Sequence, residues 1–268
     1  MRTYLSLSQR RSPVLHRLGF TLTLSVLGAT HALPAHAQTY DAAANYNTNL
    51  ATGTNPNGVW TYGWSTSPAA TLHLYTNHHV IVLGPTANAW DDPTHNTSFV
   101  PVVYENTGAN YPDDGNVSIP SGALILHGGG PNGSGGFEND FSHVLFTAPT
   151  AGNYALASSF QVRQHISIPA AVQVLQNGVS VFSANLPNFL DTASYSHSFL
   201  LNPGDTVDFA VGFSSPPTGA TGNSVQLSST LTRTLASSTP EPGSLALLLG
   251  AGTVGGLLMR RRRARTAS

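Results

Sequence analysis

Between residues 41 and 234 the chain alternates short apolar runs, or apolar and polar positions in turn, with clusters of Gly, Pro, Asn and Asp. Successive side chains on a strand point to opposite faces, so this alternation marks half-buried strands. The regular punctuation favours an all-β sandwich or barrel over βαβ units. Strands are predicted over residues 59–64, 71–75, 80–83, 99–104 and 123–127. After a Gly-rich loop, further strands are predicted over 142–147, 154–162, 171–176, 179–184, 196–201, 206–213 and 225–234. Residues 38–54, rich in Ala, Asn and Thr, read as a lead-in or a first short strand. No window outside the two termini sustains a helical period.

The sharpest local signal is Asn177-Gly178. It lies between alternating Val172, Gln173, Val174 and alternating Val179, Ser180, Val181. Asn-Gly supplies the two positive φ values of a type I′ turn, so a hairpin with fixed register is expected there. Asn202-Pro203-Gly204-Asp205 marks a second turn, followed by inward candidates Val207, Phe209, Val211 and Phe213.

Composition sharpens the picture. The chain has 268 residues, 40% hydrophobic and only 9% charged, with 26 Gly, 18 Pro and no Cys. It can build a core, but it has no disulfide, thiolate metal site or Cys nucleophile. There is no Lys, and Arg163 and Arg233 are the only basic residues between 38 and 239, against eleven acidic ones, a formal charge of −9 for that stretch. Phosphate backbones are repelled by such a body, which excludes nucleic acid as a partner.

Both ends read as addresses. Residues 1–37 carry Arg2, Arg10, Arg11 and Arg17, then an apolar run over 18–29, then Ala35-His36-Ala37, the order of a secretory signal peptide cleaved after Ala37 by the export machinery. An amphipathic first helix is the alternative. The tail, 239–268, contains Pro240-Glu241-Pro242, an uncharged stretch over 243–259, and Arg260, Arg261, Arg262 and Arg263. At 1.5 Å per residue that stretch spans roughly 26 Å as a helix, enough for a thin hydrocarbon core, with the Arg block cytoplasmic.

This tail resembles the PEP-CTERM sorting signal of Gram-negative bacteria that carry exosortases. The resemblance implies a single transmembrane helix in the inner membrane, processing near Pro240-Glu241-Pro242 by an exosortase-type enzyme, and delivery to the cell surface or extracellular matrix. A plain single-span anchor is the alternative.

The region between the two addresses, 38–238, carries a second resemblance. The runs Phe146-Thr147-Ala148-Pro149 with Gly152 and Tyr154, Val174-Leu175-Gln176-Asn177-Gly178, and Pro203-Gly204-Asp205-Thr206-Val207-Asp208-Phe209 are similar to jelly-roll modules of secreted bacterial proteins. Galactose-binding-like and carbohydrate-binding-module sandwiches share that style. Asn57-Gly58-Val59-Trp60-Thr61-Tyr62-Gly63 fits the same opening. The fold expectation is therefore a jelly-roll-like antiparallel β-sandwich, and the resemblance implies a glycan ligand.

Trp60, Tyr62, Trp64, Trp90 and Tyr111 are the sugar-stacking candidates, because a flat ring offers apolar area and a quadrupole to the C–H face of a pyranose. Trp60, Tyr62 and Trp64 share one strand face, which is alternatively the core. Trp64 and Trp90 adjoin polar loops and, with Tyr111, are the expected exposed binding rings. Asp113, Asp114 and Asn116 are candidate ligands for a structural Ca²⁺, although their spacing is not that of an EF-hand; solvated turns are the alternative. Asp91-Asp92 and Glu138-Asn139-Asp140 are similar small acidic groups.

Of eleven His, three fall in the expected signal peptide, His78-His79 diverge on a strand, and His127, His143, His165 and His197 are scattered. No H-E-x-x-H or H-x-H pattern appears, so surface or hydrogen-bonded His is expected. Enzyme signatures are equally sparse. His127-Gly128-Gly129-Gly130 is similar to an esterase oxyanion loop but has no G-x-S-x-G elbow, and no Ser-His-Asp order stands out. Glu138 with Asp140 could only loosely serve as a glycosidase pair.

The sequence thus reads as an exported, non-catalytic module that binds or organises exopolysaccharide. A purely structural matrix protein, or a cryptic glycan-active hydrolase, are the alternatives.

Overall fold

The computed structural model describes residues 37–46, 53–82, 86–95, 100–129, 138–166, 168–216 and 222–234. The expected signal peptide over 1–37, the expected sorting motif Pro240-Glu241-Pro242, the expected membrane-spanning stretch over 243–259 and Arg260 to Arg263 lie outside the described residues, apart from Ala37. Among the described residues there is no helix long and apolar enough to cross a membrane.

In chain order the strands are β1 (Gln38–Asp41), β2 (Trp60–Ser65), β3 (His73–Leu74), β4 (Asn77–Val82), β5 (Thr86–Asp91), β6 (Val102–Asn106) and β7 (Leu124–His127). They continue with β8 (Phe141–Thr147), β9 (Gly152–Val162), β10 (Ala170–Gln176), β11 (Val179–Leu186), β12 (Thr192–Leu201), β13 (Thr206–Phe213) and β14 (Val225–Thr234). They form two antiparallel sheets. One is ordered β12-β9-β14-β7-β6-β5-β4, with β1 also on β14, and the other β11-β10-β13-β8-β2-β3. The expected all-β sandwich is what forms.

From β8 onward the chain passes repeatedly between sheets, so strands distant in sequence become neighbours. β13 lies between β10 and β8, and β9 between β12 and β14. Strand alternation fills the space between the sheets. Trp60, Tyr62, Val144, Phe146, Tyr154, Phe160, Val172, Val174 and Phe209 all turn inward and are buried. Trp60 packs edge-on to Phe146 at a centroid distance of 5.4 Å. Each such side chain contributes about 1.5–3 kcal/mol by leaving water.

A second apolar layer covers the outer face of β4 to β7. Ile81, Ala87, Ala89, Val102, Tyr104 and Ile125 pack there against Val117 and Ile119 of the connecting segment between β6 and β7. Asn106 fastens that segment. Its buried Nδ2 donates toward the carbonyls of Ala109, Ile119 and Pro120, and its Oδ1 accepts from Gly108 N–H at 3.0 Å.

The Asn-Gly hairpin forms as read. Asn177 and Gly178 have φ of 50° and 77°, Gln176 pairs with Val179, and Asn177 Oδ1 accepts from Thr206 N–H at 2.7 Å. The strands predicted over 206–213 and 225–234 coincide with β13 and β14. The structure departs from expectation at two strands. The strand expected over 99–104 starts only at Val102, after Pro101, which has no N–H to give to a ladder. β5 was not expected at all. Its Thr-Ala-Asn-Ala-Trp-Asp lacks β-branched residues apart from Thr86, yet it is held in the middle of a sheet by β4 and β6.

Candidate functional site

β5 decides the fate of the predicted aromatic site. Trp90 alternates inward and is only 4% exposed, with Tyr62 stacked near it and His78 parallel to it at 4.3 Å. Trp64 is 8% exposed and is held between two imidazoles, His73 at 4.4 Å and His95 at 3.4 Å, while its Nε1–H donates to Asp92 Oδ2 at 3.3 Å. The expectation that Trp64 and Trp90 are exposed rings is therefore corrected. Polar neighbours in sequence do not imply a loop when a central strand buries both faces. Tyr111 is half-buried, packs on the second apolar layer, and donates its hydroxyl to Asp114 Oδ2 at 2.9 Å.

The acidic loop uses its oxygens locally. Asp113 Oδ1 accepts from Gly115 N–H and, with Oδ2, faces His165 Nε2 at 3.1 and 3.2 Å. Asp114 Oδ1 accepts from the amides of Asn116 and Val117. Those amides of Val117 and Asn116, then the Tyr111 hydroxyl, hold the Asp114 carboxyl below the usual carboxylate range. Asn116 contributes its backbone carbonyl to His165 N–H at 2.8 Å.

Another cluster converges only in three dimensions. His95 closes a turn after β5, its N–H bonded to the Asp92 carbonyl, and its Nε2 lies 2.8 Å from Asp140 Oδ2 and 3.2 Å from Glu138 Oε2. Burial raises the Asp140 carboxyl above its ordinary range, with the hydrogen bond from His95 opposing and the contact with Glu138 adding to the rise. The reading of the sequence grouped Glu138 with Asp140 but missed His95. Its one local signal is the Asp-x-Thr turn, in which Asp92 Oδ1 accepts from the N–H and hydroxyl of Thr94.

Ser65, His143 and Asp208 form a hydrogen-bonded chain on the outer face of the β2-β8-β13 sheet. Ser65 Oγ is 2.6 Å from His143 Nε2, and His143 Nδ1 is 2.8 Å from Asp208 Oδ2. Those are the contacts of a catalytic triad, but the hydroxyl has a competing acceptor. Ser65 Oγ also donates to the Ser67 carbonyl at 2.6 Å, so that carbonyl competes with His143 Nε2 for the one hydroxyl proton. Ser65 is also fully buried, so no acyl group reaches Oγ.

No protein family matches the chain, and no curated protein matches it either. Among solved structures it is similar to the EclA C-terminal domain, a sugar-binding protein, at 15% identity and a TM-score of 0.27, covering 34% of this chain. The chain spans 64% of the length of that domain. It is also similar to the CBM36-1 domain of a xylanase from the hindgut metagenome of Trinervitermes trinervoides, at 12% identity, TM-score 0.28, covering 45% of this chain and 85% of that one. A third likeness is a family 35 carbohydrate binding module from Clostridium thermocellum, at 18% identity, TM-score 0.23, covering 40% and 91%.

An open concavity lies elsewhere. A groove of about 470 Å³ crosses β12, β9 and β14 and ends where β14 changes partner from β7, at Val225 to Leu227, to β1, at Thr230 to Arg233. Outward-facing Ser194, Ser196, Ala157, Ser159, Gln226 and Thr230 line it, with Asp41 as its one charged residue. The signal for it was in the sequence: Ser194, Ser196 and Ser198 recur at the period of one strand face.

Proposed function

We propose that this chain is an exported, non-catalytic β-sandwich of jelly-roll type that binds neutral polysaccharide in the groove across β12, β9 and β14. The groove carries the reading. Its hydroxyls and amide offer both donors and acceptors to a polyol, its size is that of a small-ligand site, and it has no cationic residue to attract a polyanion. The acidic body works against polyanionic ligands as well. The signal peptide and the PEP-CTERM-like tail support export, transient anchoring in the inner membrane, exosortase-type processing, and residence at the surface or in the extracellular matrix of a Gram-negative bacterium. The competing Ser67 carbonyl and the burial of Ser65 support a binding role over a hydrolytic one.

One experiment addresses both parts. The surface form is isolated, its termini are read by mass spectrometry, and its retention on matrix polysaccharide is compared with that of Ala157→Arg. Ala157 is exposed, faces outward, and pairs with Ser196 and Thr230 on either side, so an Arg there fills the groove without disturbing the core. The expected product starts at Gln38, ends before Met259, and is retained several-fold better than the variant. Equal retention of both proteins refutes the groove, and a C-terminus beyond Met259 refutes tail removal.

A further inference from the structure

His95, Glu138 and Asp140 come from two separate chain segments, the turn after β5 of one sheet and the entry to β8 of the other. Their donor atoms all lie within 4.8 Å of one another. Three features set them apart from a solvated charge cluster. The imidazole is pre-oriented: it lies flat on Trp64, with 13° between planes, and Trp64 is itself clamped by His73 and Asp92. Asp140 is anchored, its side chain 4% exposed and its carbonyl accepting from Gly129 N–H at 2.7 Å. That backbone approach requires glycine, since a Cβ on residue 129 would come within 2.3 Å of the Glu138 carbonyl oxygen. Finally, a carboxyl oxygen of Glu138 and one of Asp140 converge on the same imidazole nitrogen, at 3.2 and 2.8 Å. Like charges gathered this near one another are costly, and a shared cation relieves that cost.

We propose that His95 Nε2, Glu138 and Asp140 bind one divalent transition metal of the zinc class. With metal–donor distances of about 2.0–2.2 Å, neighbouring donors stand about 3.4 Å apart in a tetrahedral site and about 3.0 Å in an octahedral one. The observed separations of 2.8 and 3.2 Å from Nε2 need shifts of only tenths of an ångström. An imidazole nitrogen beside two carboxylates selects zinc, copper or nickel over the hard cations Ca²⁺ and Mg²⁺, which take oxygen ligands. Three protein ligands leave a position open, and Glu138, with a side chain 35% exposed, brings the cluster within reach of solvent. The ion ties one sheet to the other in a chain that has no cysteine for a disulfide. None of its ligands lines the hydroxyl groove, so the site stands apart from the glycan reading.

The test is titration of the metal-stripped full chain, in detergent, with Zn²⁺ by calorimetry and with Co²⁺ by its visible ligand-field bands. One ion per chain is expected, with a rise in Tm on Zn²⁺ addition and no competition from millimolar Ca²⁺. Glu138→Gln, half-exposed and isosteric, should weaken binding by about tenfold or more, as should His95→Ala, while His165→Ala should not. Absence of 1:1 binding, unchanged affinity in Glu138→Gln and Asp140→Asn, or displacement by Ca²⁺ overturns the site and leaves a proton-bridged ion pair in its place.

Discussion

Glu105→Gln is expected to stabilise the fold at alkaline pH and to leave it unchanged in acid. Glu105 sits on β6 between Asn88 of β5 and Leu124 of β7, half-buried, and its Oε2 is enclosed with no hydrogen-bond partner. Burial alone raises its carboxyl from 4.5 to about 7. The folded state therefore holds a proton that the unfolded chain releases between those values. Stability falls as pH rises from about 4.5 through about 7, and above that the full cost of an ionised, poorly solvated carboxylate is carried. A fully buried group with this displacement would cost roughly 3 kcal/mol at about 1.36 kcal/mol per pH unit; solvent access to Glu105 reduces that to about 1–2 kcal/mol. Gln imitates the protonated acid and removes the titration. Urea denaturation of wild type and variant from pH 4 to 9 isolates the effect, because every other titrating group is common to both. The difference should be near zero at pH 4 and about 1–2 kcal/mol in favour of Gln at pH 8–9. A difference independent of pH, or one that grows toward acid, refutes the reasoning.

Two further substitutions test how the buried polar and aromatic groups are read. Trp90→Ala should lower stability by about 3–5 kcal/mol in denaturant titrations, as expected for a large cavity, while the folded fraction keeps its polysaccharide retention. Intact stability with lost retention would make Trp90 a binding ring after all. Ser65→Ala removes the hydrogen-bond partner of the buried His143 Nε2 and should cost about 1–3 kcal/mol, with no change in hydrolysis of an activated ester. Ester turnover in the wild type that disappears in a folded Ser65→Ala would restore the catalytic reading.

Much of the architecture is local, and for that reason it is legible in the sequence. Alternation at Val207, Phe209, Val211 and Phe213, and the positive-φ turn at Asn177-Gly178, depend on the strand period and on backbone sterics within a few residues. Length, charge and the order of segments at the two termini likewise define the expected addresses without any fold. β5 was illegible because nothing inside Thr86–Asp91 demands a strand. Its place between β4 and β6 is a sheet-level decision that turns Trp90 inward against Tyr62.

The site chemistry followed the same division. The sequence displays Glu138 and Asp140 as neighbours, but only pairing across the sandwich brings His95 to them, and only the burial of Trp64 gives that imidazole a fixed plane. Ser65, His143 and Asp208 also meet solely through the lateral order β2-β8-β13, and the carbonyl of Ser67 then competes for the hydroxyl proton. Short-range sterics and periodicity are written residue by residue, whereas convergence of distant polar groups depends on which strands become neighbours. That is a property of the packed sheets as a whole, and it decides which polar groups meet.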